Sequence, residues 1–189
     1  MNGRTIFEKY GVLIAKGSKI ISLLPISVRW FFFDLLRNTP GRFGIGMRYV
    51  FLRAINENIG FNIFIARNVT FKNIETMKVG DNCSIMENCY IDAIGGVSIG
   101  SNVSIAHNSS VVSFEHGYAN KDIPIKYNPL IKLPIIIEDD VWIGCGVRIL
   151  AGSHIAERTV VAAGAVVRGK NEGSSILAGI PATMKKKII

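Results

Sequence analysis

Histidine, cysteine and tryptophan are scarce in this chain of 189 residues, at three, three and two. With only His107, His116 and His154 present, there are few side chains suited to carrying a proton at neutral pH. His107 and His116 are nine apart, so no His-x4-His zinc pair exists, and no metal site is expected. Cys83, Cys89 and Cys145 form neither a metal-ligand spacing nor an even disulfide set. Cys83 and Cys89 read as small interior residues in a reducing cytoplasm. Long apolar runs are absent too. The most apolar stretch, Ile20 to Leu36, is broken by Pro25, Arg29 and Asp34 and is too short to span a bilayer. Residues 1–17 lack the apolar core and cleavage site of a signal peptide. No Gly-rich phosphate loop and no nucleic-acid-binding motif is found, so no nucleic acid partner is expected.

What the chain has instead is a period of six. Ile137, Ile143, Ile149, Ile155, Val161 and Val167 recur at that interval, and four residues after the first five stand Val141, Val147, Ser153, Thr159 and Ala165. This is neither the helical nor the plain strand period. It predicts a β-helix, in which each hexad makes one short strand and one corner, the aliphatic residue points into a narrow core, and only a small residue fits at the next corner.

An earlier array has the same residue types. Ile59, Ile65, Phe71, Val79, Ile85, Ile91, Ile99, Ile105 and Val111 are spaced by 6, 6 and 8 in rotation. A coil is therefore 20 residues, with Ile59, Val79 and Ile99 in one ladder and Phe71, Ile91 and Val111 in another. Between Val111 and Ile137 about 20 residues exceed a plain hexad, so residues 113–135 are predicted to leave the column as a loop opening with Ser113-Phe114-Glu115-His116. Cys83 and Cys89 fall on small-residue positions.

The net charge of +8 is uneven. Residues 1–68 hold ten Lys or Arg against three acids, and residues 69–189 hold twelve against eleven. The basic segment, residues 1–57, reads as helical. In Ile20 to Leu36 the run Trp30-Phe31-Phe32-Phe33 beside Arg29 and Arg37 suits a helix lying in a membrane interface. A second helix over Arg42 to Ile55 would place Phe43, Met47, Val50, Phe51, Ala54 and Ile55 on one face and Arg42, Tyr49 and Arg53 opposite. Two readings are open: the helices only cap the open end of the β-helix, or residues 18–55 also touch a membrane. The β-helix spans 58–173, and 174–189 form a closing strand and a basic tail.

Val141-Trp142-Ile143-Gly144, Ala162-Ala163-Gly164-Ala165-Val166-Val167 and Ala178-Gly179-Ile180-Pro181-Ala182 resemble the hexapeptide-repeat O-acetyltransferases. These include the maltose and galactoside acetyltransferases and those that decorate bacterial surface polysaccharides. The resemblance covers roughly residues 58–187. It implies an all-β solenoid, a left-handed parallel β-helix with an N-terminal helical segment and a protruding loop. It further implies a cytoplasmic homotrimer with sites at its subunit interfaces, acetyl-coenzyme A as donor and a sugar or glycan as acceptor. Amino-sugar N-acetylation and a non-catalytic scaffold are the competing readings.

Acetyl transfer to a hydroxyl needs a base for the proton and a donor for the tetrahedral oxyanion. His116, where the repeat breaks and the loop leaves, stands where such families place their catalytic histidine. His107 and His154 are expected to point outwards. The resemblance also implies Asn88 and Asp92 for the acceptor, although Asp92 is one position off the family pattern and a corner-capping role is equally open. For coenzyme A it implies Cys145 near the thioester, Ala163 along the pantetheine arm, Arg168 near the pyrophosphate or adenine and Lys186 for the 3′-phosphate. Cysteine is a weak donor, so a backbone N–H is the alternative oxyanion contact.

Overall fold

The computed structural model describes residues 3–188. Three helices come first: α1 (Gly3–Ile21), α2 (Ile26–Leu36) and α3 (Gly41–Ile55). From Ile59 onwards the chain winds into a left-handed parallel β-solenoid of about six turns. Its coils have three flat faces. On the first, Ile59, Val79, Ile99, Ile137 and Ile155 are in register. The second stacks Ile65, Ile85, Ile105, Ile143, Val161 and Leu177, and the third Phe71, Ile91, Val111, Ile149 and Val167. These are the ladders that the spacing predicts, and every one of these side chains is buried.

The small residues between them are buried as well, Cys83, Cys89, Val141, Val147, Ser153, Thr159 and Ala165 among them. Corners turn through left-handed backbone. At one, Asn68, Asn88 and Asn108 all have φ of 60° and are followed in the stack by Gly146 and Gly164. Asparagine is among the few residues with a Cβ that tolerate this region. Neighbouring coils approach so closely here that a Cβ on Gly144 would lie 2.6 Å from the Ala163 backbone nitrogen.

The helices cap the first coil, but not with the face expected. Phe43 is exposed, whereas Tyr49, placed on the outer side by apolar periodicity, is fully buried together with Arg48. The reason is chemical: the end of a solenoid presents backbone carbonyls as well as apolar core, so a cap needs donors. Arg48 Nε donates to Ile65 O at 2.8 Å, Tyr49 Oη to Gly60 O at 3.1 Å, and Arg53 to Ile59 O and Gly60 O. Asn56 Nδ2 donates to both Ile74 O and Met77 O. The helix expected within Ile20 to Leu36 is α2, which carries Trp30 to Phe33. The chain breaks at Ser22–Pro25 and turns from α1 into α2.

At the other end Ser175–Gly179 forms the last parallel strand. The expected basic tail is a strand, Ala182–Lys187, returning antiparallel alongside it with Lys185, Lys186 and Lys187 exposed. Among the described residues no helix is long and apolar enough to cross a membrane.

Candidate active site on two edges of one face

The chain leaves the column at the edge between the third and first faces, through a built neck. The Ser113 hydroxyl donates to Asp92 O and accepts from Gly95 N–H, both at 2.8 Å, while Leu133 N–H donates to Ser113 O at 3.0 Å. Gly95 lies so close that a Cβ there would meet Ser113 O at 2.2 Å and Leu133 N at 2.9 Å. The loop is an ordered hairpin, in which Phe114–His116 pairs antiparallel with Leu130–Lys132. Beyond it, buried Asn128 accepts from Asn120 N–H and donates to Asn120 O, Ile123 O and Pro124 O. Nothing in the six-residue pattern marks Asn128.

The hairpin presents His116 outwards, opposite Leu130 and edge-on to the Phe114 ring at 6.3 Å. His116 is exposed, and among the described residues no hydrogen bond occupies its ring nitrogens. Glu115, on the opposite side of this strand, pairs with Arg168 at 3.2 Å and so ties the hairpin to a later coil. Both members are partly exposed, so the pair matters for position more than for stability.

Asp92 lies at the same edge, one coil below the neck. Its Oδ1 accepts from Asn73 Nδ2 at 2.7 Å and from Ile94 N–H at 3.2 Å, and its Oδ2 from Tyr90 Oη at 3.4 Å. Burial first, and then the Asp92 charge, push the Tyr90 phenol up from its ordinary range. Further down, Trp30, Asp34, Arg37, Lys72 and Asn73 line an open groove of about 480 Å³ between α2 and the first coil. The Arg37 Nε is buried there with no hydrogen-bond partner.

Asn88, Cys145 and Ala163 occupy the other edge of the third face. Asn88 accepts from Asn68 Nδ2 at 2.7 Å, a rung of the corner stack. Cys145 is half-buried, and its carbonyl accepts from Gly164 N–H at 2.9 Å, which places Ala163 over it. Beside them Arg148 reaches Asn108 O at 2.8 Å and Gly146 O at 2.9 Å. Lys186 stands apart on the terminal strand, opposite Ile176. One chain therefore brings together His116, Asp92 and Arg168 on one edge and Asn88, Cys145 and Ala163 on the other. It does not join the two sets.

The other histidines are placed differently. His107 is exposed at the Asn108 corner. His154 Nε2 lies 2.6 Å from Glu138 Oε1 on the first face, and this hydrogen bond, reinforced by Glu157 N–H, lowers the Glu138 carboxyl from its ordinary range. Sequence spacing did not single out that pair, although Glu138 and His154 are one residue either side of the stacked Ile137 and Ile155.

Comparison with known proteins fits this geometry. Residues 134–169 match the family model "Bacterial transferase hexapeptide (six repeats)". An Escherichia coli protein named as a lipopolysaccharide biosynthesis O-acetyl transferase, WbbJ, is 35% identical over 77 residues, 40% of this chain and 39% of its own. The first curated relatives are thus matched over 25% to 39% of their length. In fold the chain resembles a maltose O-acetyltransferase from Clostridium difficile, with a TM-score of 0.75 and 24% identity, covering 94% of this chain and 89% of that one. It also resembles a galactoside acetyltransferase in complex with coenzyme A, with a TM-score of 0.68 and 21% identity, covering 87% and 82%. The six-residue ladders, the left-handed solenoid and the matched array agree: residues 134–169 are bacterial transferase hexapeptide repeats, and the chain as a whole shares the left-handed β-helix fold of proteins named as acetyltransferases.

Proposed function

We propose that the protein is an acetyl-coenzyme A dependent O-acetyltransferase acting on a hydroxyl of a sugar or surface glycan, with His116 as general base. The observation that carries this reading is the hairpin: a neck, a carboxylate–guanidinium tie and an uncommitted imidazole displayed at the one break in the column. The coenzyme A complex among the structural neighbours supports an acyl-coenzyme A donor, and the O-acetyl transferase relative supports a hydroxyl acceptor.

In this reading an imidazole nitrogen of His116 takes the hydroxyl proton as the oxygen attacks the thioester carbonyl. The new C–O bond gives a tetrahedral oxyanion, held by a backbone N–H near Cys145 or by its thiol. Collapse breaks the C–S bond, and the imidazolium returns its proton to the departing thiolate. Cys145 stacks over His107, whose carbonyl accepts from Gly146 N–H at 3.0 Å, but among the described residues no hydrogen bond joins the thiol to that imidazole, which favours direct transfer over a covalent intermediate.

Because His116 and Asp92 lie on one edge and Cys145 and Ala163 on the other, a complete site is formed where the edge of one copy meets the opposite edge of the next. Three flat-sided columns about a threefold axis satisfy that contact in a closed ring. In such a homotrimer Ala163 would line the pantetheine arm, and Lys186 with Lys185 would face the 3′-phosphate. Lys187 is already paired with Glu172 at 2.8 Å. Arg168 would contact the pyrophosphate after releasing, or while sharing, Glu115. The acceptor would lie along Asp92 and the groove of Trp30 and Arg37, with Asn88 of the adjoining copy. The protein would act in the cytoplasm at the inner face of the membrane.

The test is transfer of labelled acetyl from acetyl-coenzyme A into a membrane and glycan extract, wild type against His116→Ala, followed by mild base. Base-labile label reduced by roughly 10² to 10⁴ in the variant is expected. Unchanged turnover in His116→Ala overturns the assignment of the base, and base-stable label overturns O-acetylation in favour of an amide.

A further inference from the structure

The outer surface of the helical cap sets large apolar side chains among basic ones. Along α1 the residues Val12, Lys16, Lys19, Ile20 and Leu23 follow one another at helical spacing, and all are exposed. Leu23, at the elbow between α1 and α2, is 83% exposed, and α2 continues the surface with Ile26, Phe31 and Leu35. Large apolar side chains thus lie in the open on two successive helices and on the turn that joins them. None is needed for the cap, which is sealed from the other side of α2 by Phe33 against Phe71 and by the donors of α3.

Charge decides what such a surface fits. Its α1 stripe carries two lysines and no acid, and among the described residues neither lysine is paired. The acid nearest in sequence on α2, Asp34, faces Arg37 at 3.9 Å. The first 68 residues hold seven of the eight net positive charges. A second copy of this chain would bring like charges together across the contact, whereas lysines standing between apolar neighbours suit a bilayer. Their stems lie along the apolar surface and their ammonium groups reach headgroups, while Leu23 and Phe31 enter the acyl boundary.

We infer that the α1–α2 elbow docks on an anionic lipid bilayer, with Ile20, Leu23, Phe31 and Leu35 entering the interface and Lys16 and Lys19 contacting lipid phosphates. This deepens the proposed function, since it supplies the surface by which a glycan acetyltransferase would stay at the inner membrane. None of the residues that enter the bilayer lines the candidate site, although the same helix α2 also turns Trp30 towards the acceptor groove.

Flotation of the full chain with vesicles tests it. One set is phosphatidylcholine alone and the other contains about a third phosphatidylglycerol, a charge density at which basic residues are drawn to the surface. Wild type is expected to float with the anionic vesicles, less so in high salt. Leu23→Glu combined with Phe31→Glu is expected to weaken partitioning by about 100-fold or more. Both side chains are exposed, so the variant should keep its fold, its oligomeric mass by sedimentation velocity and its coenzyme A binding. No flotation of wild type, or equal flotation of the variant, overturns the inference. A fall in oligomeric mass in the variant also overturns it, by showing that a second copy covers this face. Loss of acetyl transfer in His116→Ala with flotation intact would leave the two readings independent, as they should be.

Discussion

If His116 serves a donor bound at the Cys145 and Ala163 edge of a neighbouring copy, two differently disabled chains should repair each other. His116→Ala removes the base and leaves its donor edge intact. Ala163→Trp leaves the base and fills the donor edge; Ala163 is exposed at its corner, so the added ring projects outwards. Each variant alone should be nearly inactive, the first by roughly 10² to 10⁴. When the two are co-expressed in equal amounts and assemble at random, each interface takes its histidine edge from one chain and its donor edge from the next. Each edge is intact half the time, so about a quarter of all interfaces are whole, and about a third in the mixed closed rings, where one contact of the three pairs two intact edges. The assay is labelled acetyl transfer by complexes purified through two different tags, one on each variant. Mixed complexes that stay at the level of the separate variants would refute the division of the site between copies.

Four further outcomes follow from the packing. Ile143→Ala, at the centre of the column between Ile105 and Val161, should cost about 2–5 kcal/mol in urea unfolding; a loss well under about 1 kcal/mol would mean that the column collapses around the gap. Asp92→Ala leaves Asn73 and Ile94 without their acceptor and should cost about 1–3 kcal/mol, and a KM for acceptor unaltered at temperatures where the variant is folded would make Asp92 a corner residue only. Burial pushes the Cys83 thiol up to about 11, so its contribution is complete below the range of an unfolded thiol and is lost as pH rises through about 11, because the unfolded chain ionises first; alkaline destabilisation should be smaller in Cys83→Ala, and an equal decline would rule out this thiol as a cause. Native iodoacetamide treatment should modify Cys145 alone, with Cys83 and Cys89 labelled only after unfolding, as read by peptide mass spectrometry.

The period of six was enough to place every ladder of the column, because a narrow core leaves Ile137, Ile143 and Ile149 no freedom of register. It located the break at Ser113 for the same reason. The cap was less legible. Apolar periodicity put Phe43 inside and Tyr49 outside, since it has no term for the carbonyls at the end of a solenoid that Arg48, Tyr49 and Asn56 satisfy. The turn between α1 and α2 was signalled by Pro25 yet hidden by the apolar residues around it. In the site, His116 and Arg168 were named separately, but their common edge was not visible, because the tie runs through Glu115 and spans 53 residues. The hairpin beyond it depends on Asn128, whose four hydrogen bonds obey no repeat.

A stack of identical coils has no natural length, and its last coil is a template for another. In this protein the end of the second face is covered by the strand Ala182–Lys187, which runs against the direction of every strand in the column and carries three exposed lysines, Lys187 paired with Glu172. A further parallel coil would meet the wrong polarity there. The same short segment that the proposed reaction would use to grip a phosphate therefore also covers this end of the second face against a further parallel strand.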